Sequence, residues 1–386
     1  MAEAAALPAD AHLVINVDKA LQITSAEEAQ KQGEAWLKAA VQSGDHSLRC
    51  FGLCKVAEAL CLQKDFAAAT EKVKAARGIA EEQSLEEALA VVKLQTARIC
   101  AQPGGNSNQA LDMAEDALQS FQRLQLFRGE ATCHLALGDM YASLHEKDEA
   151  LRRHKQALAF FRRVGDTSAI GVLQRRIAQD HLATPARPGA AITAAQKAVA
   201  AYQATKETAQ EASSWIVLAE AQGHGKDASA AKESIGKARD LFFALQDPAS
   251  EAKAMEVLVE INLRNDLPVE AVTAAKEVVS IFRQAGDQRG EALALLSVAR
   301  LLLDLDPSSA KRLTNVAHDM MKGLRMEEVK ECERLQAECE HGEAVSKVQH
   351  AIYKHRDFLH VPRVLIVDPG GRQKLQQDFE DFAKAV

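Results

Sequence analysis

The stretch "FFRRVGDTSAIG" at residues 160–171 returns in altered form as "IFRQAGDQRGEA" at 281–292. Each places an aromatic ring four residues before a glycine and five before an aspartate. A local turn motif has no reason to recur over such a distance, so the pair points to internal repetition. With Phe161 and Phe282 as anchors, the same place is filled by Phe121, Phe161, Tyr202, Phe242 and Phe282, in steps of 40 or 41 residues. The ladder continues more weakly through Met321, Ile79 and Ala40. A second ladder, of small side chains, runs beside it through Ala69, Ala110, Ala150, Ala190, Ala231, Ala271 and, one residue early, Ala310.

Local chemistry identifies the unit. Gly44, Gly165 and Gly286 sit where one helix must end, because glycine enters the left-handed conformation without steric cost. The next residue is Asp45, Asp166 or Asp287, which can N-cap a new helix. Asp247 and Asp306 do the same before Pro248 and Pro307, prolines suited to the first helical turn. Looser breaks such as "PGGNSN" (103–108), "LHEKDE" (144–149) and "ATPARPG" (183–189) fall between these junctions. Between breaks lie segments of about 14–20 residues with apolar residues at helical spacing, as in Ala292, Leu295, Leu296, Val298, Ala299 and Leu302. The spacing predicts a helical hairpin of about forty residues, repeated along the chain. Large anchors fill gaps between hairpins. Gly138, Ala178, Ala219 and Ala299 are expected to face Ala150, Ala190 and Ala231 where helices cross closely.

Length and composition agree. At 386 residues the chain exceeds the roughly 250–300 at which a single core stops growing. Net charge is −7 and aromatics are 4%, which leaves neither the basic footprint nor the stacking surface of a nucleic-acid binder. Seven scattered cysteines argue against a disulfide scaffold and for a reducing, cytoplasmic setting. The acidic start lacks a signal peptide, and "ALALLSVARLLLDL" (292–305) is too short to span a bilayer, so no membrane insertion is expected.

In "RGEATCHLALGDMYASLHEKDEALRRHKQALAFFRRVGD" (128–166), Leu137, Gly138, Tyr141, Ala150 and Ala157 resemble the core signature of the tetratricopeptide repeat (TPR) family. The forty-residue period with an Asp-containing junction is similar to the variant in Pins/LGN-like adaptors. The resemblance covers roughly residues 45–340 and is closest at 131–164. His181, Gln222 and Asn262 depart from it at the place of Tyr141, and Lys197 at that of Ala157. HEAT or armadillo repeats compete at this period, but the alanine positions fit the TPR pattern and no HEAT-type proline or arginine pattern stands out. The resemblance implies an all-α, TPR-like α-solenoid: a right-handed superhelix of stacked hairpins with a short irregular C-terminal tail. Three regions are expected, with residues 1–44 an N-terminal segment and capping helix. Residues 45–340 form an array of seven to eight hairpins, and 341–386 a capping helix and tail. Ser25 or Thr24 with Glu28 opens the first capping helix, which runs to about Gln42.

No catalytic, cofactor or metal constellation emerges. Cys50, Cys54 and Cys61 share a helical face without the paired spacing of a zinc site, and no phosphate loop accompanies the "VLIVD" strand at 364–368. The expected role is therefore a non-enzymatic scaffold or adaptor for protein or peptide partners. The alternatives are a structural subunit of a larger complex and, with less support, a nucleotide-dependent regulator using the C-terminal segment. The resemblance implies that the first helix of each hairpin lines a concave groove. Carrying its groove positions over exposes Asp139, Arg175, Gln179, Glu220, Glu256, Glu260 and Arg300. Arg176 stands about 100° from Arg175 on the same helix, so at least one is expected to point along that groove. The arginine pairs 152–153, 162–163 and 175–176 read either as a solvated face or as a site for an acidic partner.

Overall fold

A computed structural model describes residues 17–22, 25–183, 188–303 and 305–340. The terminal segments 1–16 and 341–386, with the expected tail and "VLIVD", lie outside the described residues. Every regular element described is an α-helix. No described helix is long and apolar enough to cross a membrane. The chain divides into two compact units between Glu207 and Thr208.

In the first unit, a single turn α1 (Val17–Ala20) precedes α2 (Ala26–Ser43), which packs on the first hairpin. Four hairpins follow: α3 (His46–Leu62) with α4 (Phe66–Glu82), α5 (Glu86–Cys100) with α6 (Ser107–Arg123), α7 (Phe127–Ser143) with α8 (Lys147–Val164), and α9 (Thr167–Ala183) with α10 (Pro188–Thr205). The second unit has three: α11 (Thr208–His224) with α12 (Ala228–Ala244), α13 (Pro248–Arg264) with α14 (Pro268–Ala285), and α15 (Gln288–Leu302) with α16 (Pro307–Gly323). Residues 329–340 are helical after them. Within each unit the second helix of one hairpin packs on the first helix of the next. This is the all-α, stacked-hairpin architecture of a TPR-like solenoid.

The anchor ladder explains how hairpins join. Phe121, Phe161 and Tyr202 are fully buried and Phe242 nearly so, and burying a side chain of this size stabilises by roughly 1.5–3 kcal/mol. A Cβ on Gly129 would lie 2.3 Å from the Phe121 ring, and one on Gly290 2.4 Å from Phe282, so each ring rests directly on the backbone of the next hairpin. The anchor carbonyl has a second duty. Leu126 N–H donates to Phe121 O, Asp166 to Phe161, Glu207 to Tyr202, Asp247 to Phe242 and Asp287 to Phe282, at 3.0–3.2 Å. Such six-residue closures are Schellman caps that satisfy orphan helix carbonyls.

The left-handed residue inside each cap recurs about every twenty residues, at both ends of the hairpins. Gly44, Gly165 and Gly286 adopt φ of 69°, 75° and 72°, as their sequence context requires. Lys64, Ser84, Gln125, His145, Lys206, Lys226, Gln246, Asp266 and Arg325 do the same without being glycine. Asp45, Asp166, Asp247, Asp287 and Asp306 each cap the following helix through the side chain, as does Ser25 for α2.

Two ladder positions shift by one. Ala69, Ala110, Ala150, Ala231, Ala271 and Ala310 are each the fourth residue of their helix and fully buried. In α10 (Pro188–Thr205) that place belongs to Ala191, which is fully buried, while Ala190 is half-buried. The anchor carbonyl of α4 is that of Ala80, which accepts from Leu85 N–H, so Ile79 is displaced from the ladder. Gly138 lies against the His154 ring, which a Cβ would approach to 2.4 Å.

Candidate functional site

Helix bounds set the phase of every side chain, and the thirteenth residue of each first helix forms a family of its own. These are Glu58, Arg98, Asp139 and Gln179 in the first unit, and Glu220, Glu260 and Arg300 in the second. All seven are polar, although the helices carrying them are largely apolar. Asp139, Gln179, Glu220, Glu260 and Arg300 were expected from sequence. Glu58 and Arg98 were not, and the same forty-residue step continued toward the N-terminus would have found them.

In the first unit these charges alternate and meet. Arg98 Nη1 lies 3.9 Å from Glu58, and Arg176 Nε lies 2.9 Å from Asp139. Arg176 also reaches Gln179 Oε1 at 3.5 Å. Arg175 is half-buried beside Tyr202, and loss of hydration works against its charge. The Tyr202 hydroxyl is buried with no hydrogen-bond partner among the described residues, and desolvation pushes its pKa up to about 12. The other arginine pairs are largely engaged within the chain. Arg152 and Arg153 both bind Glu149, Arg153 also binds Glu115, and Arg163 stacks over Phe127.

Beneath Asp139 lies an ionic group. His154, fully buried on α8, places Nδ1 2.6 Å from Asp180 and Nε2 3.4 Å from Asp139. Burial alone would strip its proton, but the two carboxylates outweigh burial and raise its pKa to about 9. Burial likewise opposes the Asp139 charge, yet His154 and Arg176 hold Asp139 below the usual carboxylate range. The group ties α7, α8 and α9 together.

A second buried cation was missed from sequence. Lys55 on α3 is 1% exposed, and its Nζ donates to the Gln22 carbonyl at 2.6 Å and to Glu58 at 2.8 Å. The signal was a lone lysine in "CFGLCKVAEALC", where solvation alone offers no reason for its place. The nearby thiols are inert by contrast, with burial raising Cys50 and Cys61 to about 11.

The second unit gathers Glu220, Glu256 and Glu260. Desolvation raises Glu220 above its ordinary value; Arg264 opposes this and Glu260 adds to it. Desolvation likewise raises Glu256, with Glu260 adding to it and Lys253 opposing. Arg264 contacts Glu260 at 3.1 Å and His224 at 3.0 Å. Arg300 pairs at 2.5 Å with Glu331.

No model of a protein family matches the sequence, and no curated protein matches it either. Solved structures do match. A signal-transduction ATPase with numerous domains and a tetratricopeptide repeat sensor, from Pyrococcus horikoshii, aligns at a TM-score of 0.58 and 16% identity. The alignment covers 84% of this chain and 51% of that protein, so the present chain spans about half of its length. Apo RapI aligns at 0.49 and 12% identity, over 76% of this chain and 98% of that one. Yeast Tom70 aligns at 0.48 and 15%, over 87% and 63%. The likeness to the Pyrococcus protein is one of fold.

Proposed function

We propose that this chain is a non-enzymatic scaffold that binds a peptide or protein segment along its first-helix face, the concave face expected of stacked hairpins. The observation that carries the reading is the row of polar thirteenth residues. Most buried positions on the same helices are apolar, whereas this row is polar in all seven. Exposed or half-exposed charges on an apolar background set the register of a bound segment, while the surrounding area supplies affinity. The alternating row Glu58, Arg98, Asp139 and the acidic set Glu220, Glu256, Glu260 suit partners carrying both signs of charge. The Pyrococcus protein uses its repeats as a sensor, a role compatible with partner capture. The array of 45–340 is, in this reading, the binding module.

The test compares the unaltered chain with an Arg176→Glu, Glu260→Lys, Arg300→Glu variant in capture from native-cell extract, read by mass spectrometry. Partners held by the unaltered chain and released by the variant, with salt sensitivity lost, are expected. Glu260→Lys and Arg300→Glu should together shift stability by less than about 1 kcal/mol, because exposed pairs contribute little, while Arg176→Glu should cost more because it removes the cation beside Asp139. Undiminished capture would move the binding surface to the second helices or to the tail.

A further inference from the structure

The first-helix face of the first unit already holds a piece of chain. The turn α1 packs on α3, α5 and α7, the first helices of three successive hairpins. Ala20 and Leu21 are each 3% exposed and join the apolar cluster containing Leu48, Phe51, Leu94, Ala136 and Met140. One residue later, the Gln22 carbonyl accepts from the Lys55 ammonium. A lysine buried to this degree needs acceptors on every side to offset lost hydration. Glu58 supplies one from its own helix, and Gln22 supplies another from 33 residues upstream. Equivalent tenth positions in the second unit are Val217, Val257 and Ser297, none of which carries a charge.

We propose that residues 17–22 are a resident ligand of this face, and that the partner of the first unit is a segment of the same chemistry that displaces them. That chemistry is one helical turn presenting a small and then a branched apolar side chain, followed by an unpaired main-chain carbonyl for Lys55. So short a segment binds weakly by itself, but a short tether holds it at an effective concentration in the ~mM range. A partner must exceed that threshold, which makes the face selective for tight binders.

The inference rests on the scaffold reading, yet its test needs no outside partner, so the two can fail separately. A fluorescent peptide spanning residues 17–24 is titrated with the full-length chain. Leu21→Asp should expel the resident turn, and the peptide should then bind at least about fivefold more tightly than to the unaltered chain. Adding Lys55→Met to Leu21→Asp should abolish that binding. Equal binding to both chains, or none to a Leu21→Asp chain that melts normally, would overturn the proposal. Should Leu21→Asp unfold the protein, hydrogen exchange on the unaltered chain decides. Protected amides at 19–22, losing protection when excess peptide is added, support displacement. Amides that exchange as in free peptide, or that ignore saturating peptide, sink it.

Discussion

The pair His154 and Asp180 in the first unit occupies the same two places as Ile235 and Ile261 in the second. Each is the eighth residue of a second helix and the fourteenth of the next first helix. In one unit the place is an imidazolium bound to a carboxylate; in the other it belongs to an apolar cluster. The rest of the second-helix family is Val73, Ala114, Ala195, Ala275 and Thr314, and of the first-helix family Ala59, Ile99, Met140, Ala221 and Leu301. The stack therefore does not need ions here. What distinguishes the first unit is that its buried pair connects upward, through Asp139 and Arg176, to the polar row on the face.

The largest effect should come from breaking that pair on one side. His154→Ile removes the buried imidazolium that faces both Asp180 and Asp139, and breaking a buried pair on one side typically costs about 3–5 kcal/mol. The double variant His154→Ile, Asp180→Ile copies the second unit and should recover most of the loss in urea unfolding. A double variant no more stable than the single one would mean that the two units pack their junctions differently.

Next in size is pH dependence. His154, with two carboxylates facing it, is pushed up from its ordinary 6.5 to about 9 in the folded chain, so it binds its proton more tightly when folded. Its stabilisation is complete below about pH 6.5 and is lost as pH rises to about 9. Its ceiling is on the order of 3 kcal/mol. Facing groups are Asp139, Asp180 and Arg176; of these, Asp139 contributes oppositely, losing stability in acid. Thermal melts of the unaltered chain between pH 6.5 and 9 should fall more steeply than those of the double variant.

A packing contrast ranks third. Ala231→Phe overfills a helix crossing and should cost on the order of 1–3 kcal/mol. Ser229→Phe, exposed on the same helix, should change stability by less than about 0.5 kcal/mol. Equal melting temperatures would contradict the fourth-residue rule. The smallest effect is a gain: Gln246→Gly relieves a left-handed side chain at φ 56° and should stabilise by a few tenths to about 1 kcal/mol. The glycine already at Gly286, the counterpart of Gln246 forty residues on, should respond in the opposite sense to Gly286→Gln.

The sequence made the repeat legible because packing at a junction demands one large ring and one small residue at fixed phase. Phe161 and Ala150 announce themselves by recurrence. Ala190 and Ile79 were placed one residue off because the repeat steps are 40 residues in some places and 41 in others, and each is followed by an alanine that fits the position as well. On the face, a polar residue at the thirteenth place was readable for Asp139 onward, but Glu58 stood in a hairpin with a weak anchor and Arg98 on a helix with Thr96 and Cys100 at the places of Leu137 and Tyr141. Lys55 and the α1 turn were not legible. Their meeting is a contact across 33 residues with no period to betray it, and a lysine in a sequence says nothing about the carbonyl it will find.

The α1 turn also has a place in time. Helix stops here are encoded within six residues, so each hairpin can form soon after it is synthesised, the first unit before the second. Residues 17–22 are made before any of these helices, yet one wall of their seat, α7, ends only at Ser143. At roughly 5–20 residues per second, that delay is on the order of 6–25 s on the ribosome. For that interval the nascent chain carries the turn with only part of the seat that will hold it.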